Sequence, residues 1–235
     1  MTLKLKHLLF LLILMVSTAE AYGQEEDKLG SWYVYNGFFN FSPKVELFFE
    51  SQWRTWEPIS NTQTLFFRPF ISYNFTPNFQ MGLSQEYHMN WSYSEIPENK
   101  VKTEEYRTTL QAMLFQHIDW VSVQHRFRYE FRFLDEKGNQ RVRYRLQLGI
   151  PISKKKIEKG VFFSTIGNEF MVNTQKELNL SQLRTYAMLG YQLSKSTNLQ
   201  FGYMYISRPS AENLHRLQFF LTQKFKFYKT TPQNL

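Results

Sequence analysis

The chain is 235 residues long, carries a formal net charge of +8 and contains no cysteine. That composition excludes a disulfide frame, a thiolate nucleophile, a cysteine zinc site and a lipoprotein anchor. A pI near 9.5 and mixed Arg/aromatic strings would suit a nucleic-acid binder, but an export signal at the N-terminus argues against that partner.

Residues 1–21 read as a secretory signal peptide. Lys4 and Lys6 form a positive n-region, Leu8–Val16 an apolar h-region, and Ala19 and Ala21 the small residues of a cleavage site. The apolar stretch is too short for a transmembrane helix, which needs about 20 residues. A polar segment, 22–30, follows. No run of 18 apolar residues occurs in the remaining chain, so no transmembrane helix is expected there.

From residue 31 the hydrophobic period is 2, not 3.6. Eleven extended segments are predicted, at about 31–41, 45–55, 64–75, 79–91, 104–116, 121–134, 140–152, 161–173, 182–193, 199–208 and 214–227. Val121–Phe133 is the clearest. Val121, Val123, His125, Phe127, Tyr129, Phe131 and Phe133 share one face; Ser122, Gln124, Arg126, Arg128, Glu130 and Arg132 share the other. Arg141–Ile150 repeats the pattern, with Arg141, Arg143, Arg145, Gln147 and Gly149 on its polar face. A helix would mix these sets, whereas a strand separates them. The segments place one barrel domain at 31–228 and a polar tail at 229–235.

The connections alternate in character. Ser42–Lys44, Thr76–Asn78, His117–Trp120 and Ser194–Asn198 are tight, with a longer basic member at Ser153–Gly160. The others, 56–63, 92–103, 135–139, 174–181 and 209–213, tend to be longer and more polar. Bacterial outer-membrane barrels have short periplasmic turns and longer outer loops, so the tight set is assigned to the periplasm. Most segments span 10–14 residues, whereas ordinary strands average about 5–6 and a tilted membrane strand needs about 9–11. A soluble β-sandwich also alternates apolar and polar residues. Strand length, the turn rhythm, the signal peptide and aromatics near strand ends (Trp32, Trp53, Trp91, Trp120, Phe225, Phe227) favour the membrane. The two apolar faces with polar partners above carry no Asp, Glu, Lys or Arg. The expectation is an all-β, antiparallel transmembrane β-barrel in a bacterial outer membrane, in contact with its lipids and lipopolysaccharide. Single-chain bacterial barrels have even strand counts, so about twelve strands are expected, with ten as the second choice.

Several strings carry a resemblance. They are Phe67–Tyr73 (FRPFISY), Glu105–Arg107, His125–Phe133 (HRFRYEFRF), Arg141–Leu146 (RVRYRL), Gly167–Phe170, Gln182–Arg184 and Gly202–Met204. In order and spacing they resemble the uncharacterised Gram-negative outer-membrane barrels catalogued as domain of unknown function 2490. The resemblance implies an outer-membrane barrel of 10–12 strands and no established activity.

The polar face is the informative one. Glu50, Arg54, Arg68, Glu86, His88, Glu105, Arg107, Glu130, Arg132, Arg141, Arg143, Arg145, Glu169, Arg184, Arg208 and Arg216 are placed inside, toward the long loops. Gly82, Gly149, Gly190 and Gly202 are placed inside, toward the tight turns. One register across 135–139 sets Glu130 against Arg145 and Arg132 against Arg143, the second a like-charge pair. This ionic belt has two readings. It is a salt-bridge network filling a narrow lumen, because buried charges must be paired. Alternatively it is a narrow, porin-like anion-preferring channel or a small-solute-binding barrel, because guanidinium groups match carboxylate and phosphate.

A lipid-modifying outer-membrane enzyme, with His88 and Glu86 as its candidates, is the third reading. Ser84, Glu86 and His88 share one face, but residues two apart in a strand lie about 6.6–6.8 Å apart, too far for a nucleophile–base hydrogen bond. There is no GxSxG, HExxH or EF-hand pattern, so neither a cofactor nor a metal is expected. His125 falls on the lipid-facing side, His117 in a tight turn, and His215 lacks an evident partner. Lys154–Lys156 reads as a solvated periplasmic turn, or as a contact for anionic headgroups.

Overall fold

Strict alternation leaves each extended segment two chemically distinct faces, and a closed sheet is the arrangement that removes both of its edges. The computed structural model describes residues 29–93, 100–134, 137–175 and 177–229. Its elements are β1 (Gly30–Asn40), β2 (Val45–Thr55), β3 (Thr62–Thr76), β4 (Phe79–Tyr93), β5 (Lys100–Ile118), β6 (Val121–Leu134), β7 (Lys137–Pro151), β8 (Phe162–Asn173), β9 (Asn179–Gln192), β10 (Thr197–Ser207) and β11 (Leu214–Lys226). They close into one barrel in which each strand pairs antiparallel with its sequence neighbours. The expected signal peptide, most of the polar segment 22–30 and the last residues of the tail lie outside the described residues.

The count corrects the expectation of twelve strands. The eleven segments read from alternation are the eleven strands, and the barrel closes by pairing β1 with β11 in parallel, from Gly30↔Arg216 to Asn40↔Lys226. An odd number of up-and-down strands brings two strands of the same direction together at the seam. Gly30 therefore stands at the long-loop end and Lys226 at the tight-turn end.

The strands run further toward the long loops than alternation marked. β5 begins at Lys100 and β7 at Lys137. Polar stretches such as Lys100–Glu104 lack an apolar stripe, yet backbone pairing proceeds without one. Only residues 135 and 136 separate β6 from β7, so the expected longer loop there is a short connection. The tight turns use residues suited to left-handed backbone, Asp119 at φ 54° and Gly160 at φ 84°.

Burial is inverted relative to a soluble protein. Glu86, Glu130 and Arg216 are at most 1% exposed, whereas Ile71 is 70% exposed. Strand pairing aligns Leu47, Ile71, Leu83, Leu110, Tyr129, Val142, Val172 and Leu180 in one outward row. On the described strands, outward positions carry Lys or an acidic residue only at Lys100, Lys102 and Glu104, near the long-loop end of β5, and they carry no Arg. Aromatic stacks flank the belt: Tyr33 on Trp53 and Phe219 at one level, Phe39 on Phe225 and Phe41 on Phe227 at the tight-turn end. Trp32 departs from its expected interfacial place. It pairs with the inward Arg54 and is buried inside the barrel.

Candidate functional site

Parity puts the charged faces of the strands into the lumen, and closure presses them together. Glu50, Glu86, Glu105, Glu130 and Glu169 each meet at least one arginine there. Arg68 donates to Glu50 at 2.9 Å and lies 2.9 Å from Glu86. Arg107 holds Glu105 through two bonds, 2.7 and 2.8 Å, and Arg132 joins it at 2.5 Å. Arg141 donates to Glu130 at 2.8 and 2.5 Å, and Arg143 at 2.6 Å. Arg143 reaches on to both oxygens of Glu169 at 2.8 Å. Arg126 donates to Glu169 at 2.6 Å, and Arg184 approaches it at 3.6 Å. The belt is a buried ion-pair network of forked guanidinium–carboxylate contacts, the strong form of charged hydrogen bond.

On the long-loop side the lumen is filled by apolar residues. Trp32, Val34, Trp56, Tyr186, Met188, Met204, Ile206 and Leu214 form one buried cluster, against which Tyr93 and Phe220 pack. The Trp56 indole donates to the Trp91 carbonyl at 3.1 Å. Arginines cap this cluster: the Arg54 guanidinium lies 3.7 Å from the Trp32 ring centre, Arg184 5.0 Å from it on a second approach, and Arg216 5.5 Å from Trp56. Such cation–π contacts offset part of the cost of desolvating a guanidinium.

The tight-turn side is hollow. A cavity of about 640 Å³ is walled by Asn36, Phe38, Phe48, Asn74, Gln80, Met113, Phe115, Phe220 and Thr222, with Lys224 among its lining residues. Arg126, Arg128 and Arg145 also line it, beside Gln111, Gln124 and Gln147. A smaller space of about 70 Å³ between Trp32, Arg54, Arg143, Glu169 and Tyr186 separates this chamber from the apolar cluster. A third hollow, of about 640 Å³, lies on the outer wall between aromatic side chains of the belt, including Tyr33, Trp53 and Phe219.

Of the belt residues expected from parity, Glu50, Arg54, Glu86, Glu105, Arg107, Glu130, Arg132, Arg143, Arg145, Glu169, Arg184 and Arg216 all occupy inward positions, as do Arg68 and Arg141. Arg208 does not: it lies past the end of β10, where its backbone and side chain bond Asn213 and the Glu212 carbonyl. The expected register of the β6–β7 hairpin is corrected by four residues. Glu130 faces Arg141, Arg128 faces Arg143 and Arg126 faces Arg145. The ladder continues to Leu134↔Lys137, which leaves no room for a five-residue loop. Four is an even shift, so every side chain keeps its face. Glu130 is thus paired with Arg141 and Arg143, while Arg145 lies opposite Glu169 on β8 and donates to Gln124.

His88 bonds Glu86 at 2.9 Å, stacks on Phe66 and is 2% exposed. The Ser84 hydroxyl is buried with no hydrogen-bond partner among the described residues. The Ser84–Glu86–His88 row therefore places no hydroxyl on the imidazole. His125 contacts Tyr144 on the outer wall at 2.8 Å, and His215 contacts Tyr203. His117 stands near the end of β5, at the rim of the chamber. Lys154 is exposed and pairs with Glu158 at 2.6 Å, holding that carboxyl below its ordinary range. Among the described residues no group of three or more His, Asp or Glu is arranged to hold a metal ion.

Arg126 and Arg128 are the lumen residues of most consequence that the sequence reading left out of its belt. Their alternation with Phe127 and Tyr129 marks them as inward, and their distance from the long loops sets them below the expected belt. No curated protein and no solved structure matches the chain. A family model described as "Protein of unknown function (DUF2490)" matches residues 29–218, a span that takes in the barrel from before β1 into β11. The chain belongs to that family, DUF2490.

Proposed function

We propose that this chain is an integral outer-membrane β-barrel whose lumen is a blind cup, open toward the tight turns and closed toward the long loops. The observation that carries the reading is its inverted burial. Charges sit inside the barrel at near-zero exposure while the outward row from Leu47 to Leu180 faces the surroundings. A soluble monomer rarely exposes an apolar patch larger than a few hundred Å², and lipid acyl chains are the medium this surface fits. Lipopolysaccharide and phospholipid are then its lateral partners, and the Lys154–Lys156 turn faces the periplasm. A lipid-facing charge near the midplane costs about 2–4 kcal/mol. Ile71→Arg and Leu83→Arg should each lower folding yield into lipid vesicles accordingly, measured by the shift in gel mobility on heating. Unchanged yield would reject the membrane assignment.

The network and the Trp32–Trp56 cluster support a closed barrel over an open pore. Purified protein in a planar bilayer should give no discrete current steps under a salt gradient. Sustained anion-selective steps would overturn the cup and favour the second reading, a narrow anion-preferring channel. That reading draws on the surplus of arginine over glutamate in the belt, since rings of Arg select anions.

A further inference from the structure

The floor of the chamber carries more guanidinium than carboxylate charge: Arg126, Arg128 and Arg145 line it beside Glu46 and Glu50, and Glu50 is bonded by Arg68. Arg126 faces Arg145 and Arg128 faces Arg143 across one hairpin, and like charges directly opposite are unfavourable. Arg143 is held by two carboxylates and Arg126 by one. Among the described residues, Arg128 and Arg145 make no salt bridge. Arg128 donates to Gln111 at 2.8 Å and lies 4.8 Å from the Phe70 ring centre, and Arg145, opposite Glu169 on β8, donates to Gln124. Arg128 is 3% exposed, and its Nη1 has no partner among the described residues; the Nε atoms of Arg126 and Arg145 are likewise unpartnered. Neutral glutamines thus stand where a purely structural network would place glutamates. A buried charge without a counter-charge is costly, and a site that breaks the pairing rule without an internal gain points to function.

We propose that the chamber binds a small organic anion, a carboxylate or a phosphate ester. Its charged group would sit on Arg126, Arg128 and Arg145, and its body against Phe48, Met113 and Phe220. Guanidinium forks suit both oxyanions. A chamber of about 640 Å³ falls within the roughly 300–1,000 Å³ typical of small-molecule sites. The inference builds on the blind-cup reading, whose closed end gives the anion a floor, but the arginine cluster itself depends neither on that closure nor on membrane insertion.

The test is calorimetric titration of the full barrel in a non-ionic detergent at low salt. The probes are phenyl phosphate, benzoate, inorganic phosphate and benzyl alcohol. Saturable binding of phenyl phosphate or benzoate, with none of benzyl alcohol, is expected, and the stronger of the two identifies the headgroup. Weaker binding of inorganic phosphate would support the apolar wall; equal binding would overturn that part. One lost charge-assisted contact should weaken binding about tenfold or more. Arg128→Gln and Arg145→Gln should each show this loss while Lys102→Gln, on the outer wall, does not. Wild-type protein that binds none of the anions overturns the proposal, as does binding unchanged in both arginine variants. If either variant fails to fold, the contrast between anions and benzyl alcohol on the wild type still decides. Current through a bilayer together with retained anion binding would sink the cup and leave the anion site standing.

Discussion

Glu130 shows what a single residue does in this lumen. It is fully buried, and its two oxygens are divided between Arg141 and Arg143. Glu130→Gln keeps the shape and one acceptor but leaves two guanidinium groups facing each other without a charge between them. Breaking a buried pair in this way costs about 3–5 kcal/mol. Urea unfolding from vesicles should register a loss of that size, and a loss below about 1 kcal/mol would mean that water or other carboxylates already serve these arginines. Lys154→Ala removes an ion pair of exposed partners and should leave the unfolding midpoint where it was, since such pairs contribute little.

At the scale of the strand, small residues and large rings are matched across the ladder. Gly167 on β8 lies opposite Tyr186 on β9, and the tyrosine ring covers the glycine. The Tyr186 hydroxyl then donates to Gln147 at 2.8 Å, tying β9 to β7 across β8. Gly190 and Phe163 repeat the arrangement nearer the tight turns. Ring-over-glycine packing of this kind pins register. A side chain at 167 would meet the ring directly, so Gly167→Val should cost about 1–3 kcal/mol by overpacking. Gly138 has open space around its Cβ direction, and Gly138→Ala should be tolerated in the same unfolding assay. Equal losses at both sites would show that backbone entropy, not the tyrosine, sets the need for glycine.

For the whole molecule, the parallel seam has a consequence that an even barrel lacks. Chain entry at Gly30 and chain exit at Lys226 stand at opposite ends of the barrel. The absence of native cysteine makes single-cysteine labelling unambiguous. In intact cells an impermeant maleimide should reach Ser60→Cys and Ser210→Cys in the long loops, and Leu29→Cys beside them. Lys155→Cys and Lys195→Cys, in the tight turns, should label only after the outer membrane is opened, together with Tyr228→Cys. Leu29→Cys grouping with the tight-turn positions would refute the parallel closure. Labelling of the whole tight-turn set in intact cells would invert the proposed orientation.

The strands and their faces were legible in the sequence because β-structure has a period of two that each segment states locally. Val121–Phe133 announces its own polar and apolar faces without reference to any neighbour. For the same reason an error of four residues in the β6–β7 register left every face correct. Pairing was another matter. Whether Arg145 meets Glu130, Glu169 or Gln124 depends on how far two strands run on past their apolar stripe, and no local pattern reports that. A barrel was expected, but its parallel seam was hidden, since the β1–β11 contact joins the two ends of the barrel and rests on backbone bonds indifferent to side-chain type. The sequence by itself determined that the arginines and glutamates would face inward, through alternation. Only the tertiary structure decided which arginines bond a carboxylate and which, as Arg128 and Arg145 do, bond a glutamine. That outcome depends on distances across a closed lumen, where strands far apart in the chain become neighbours.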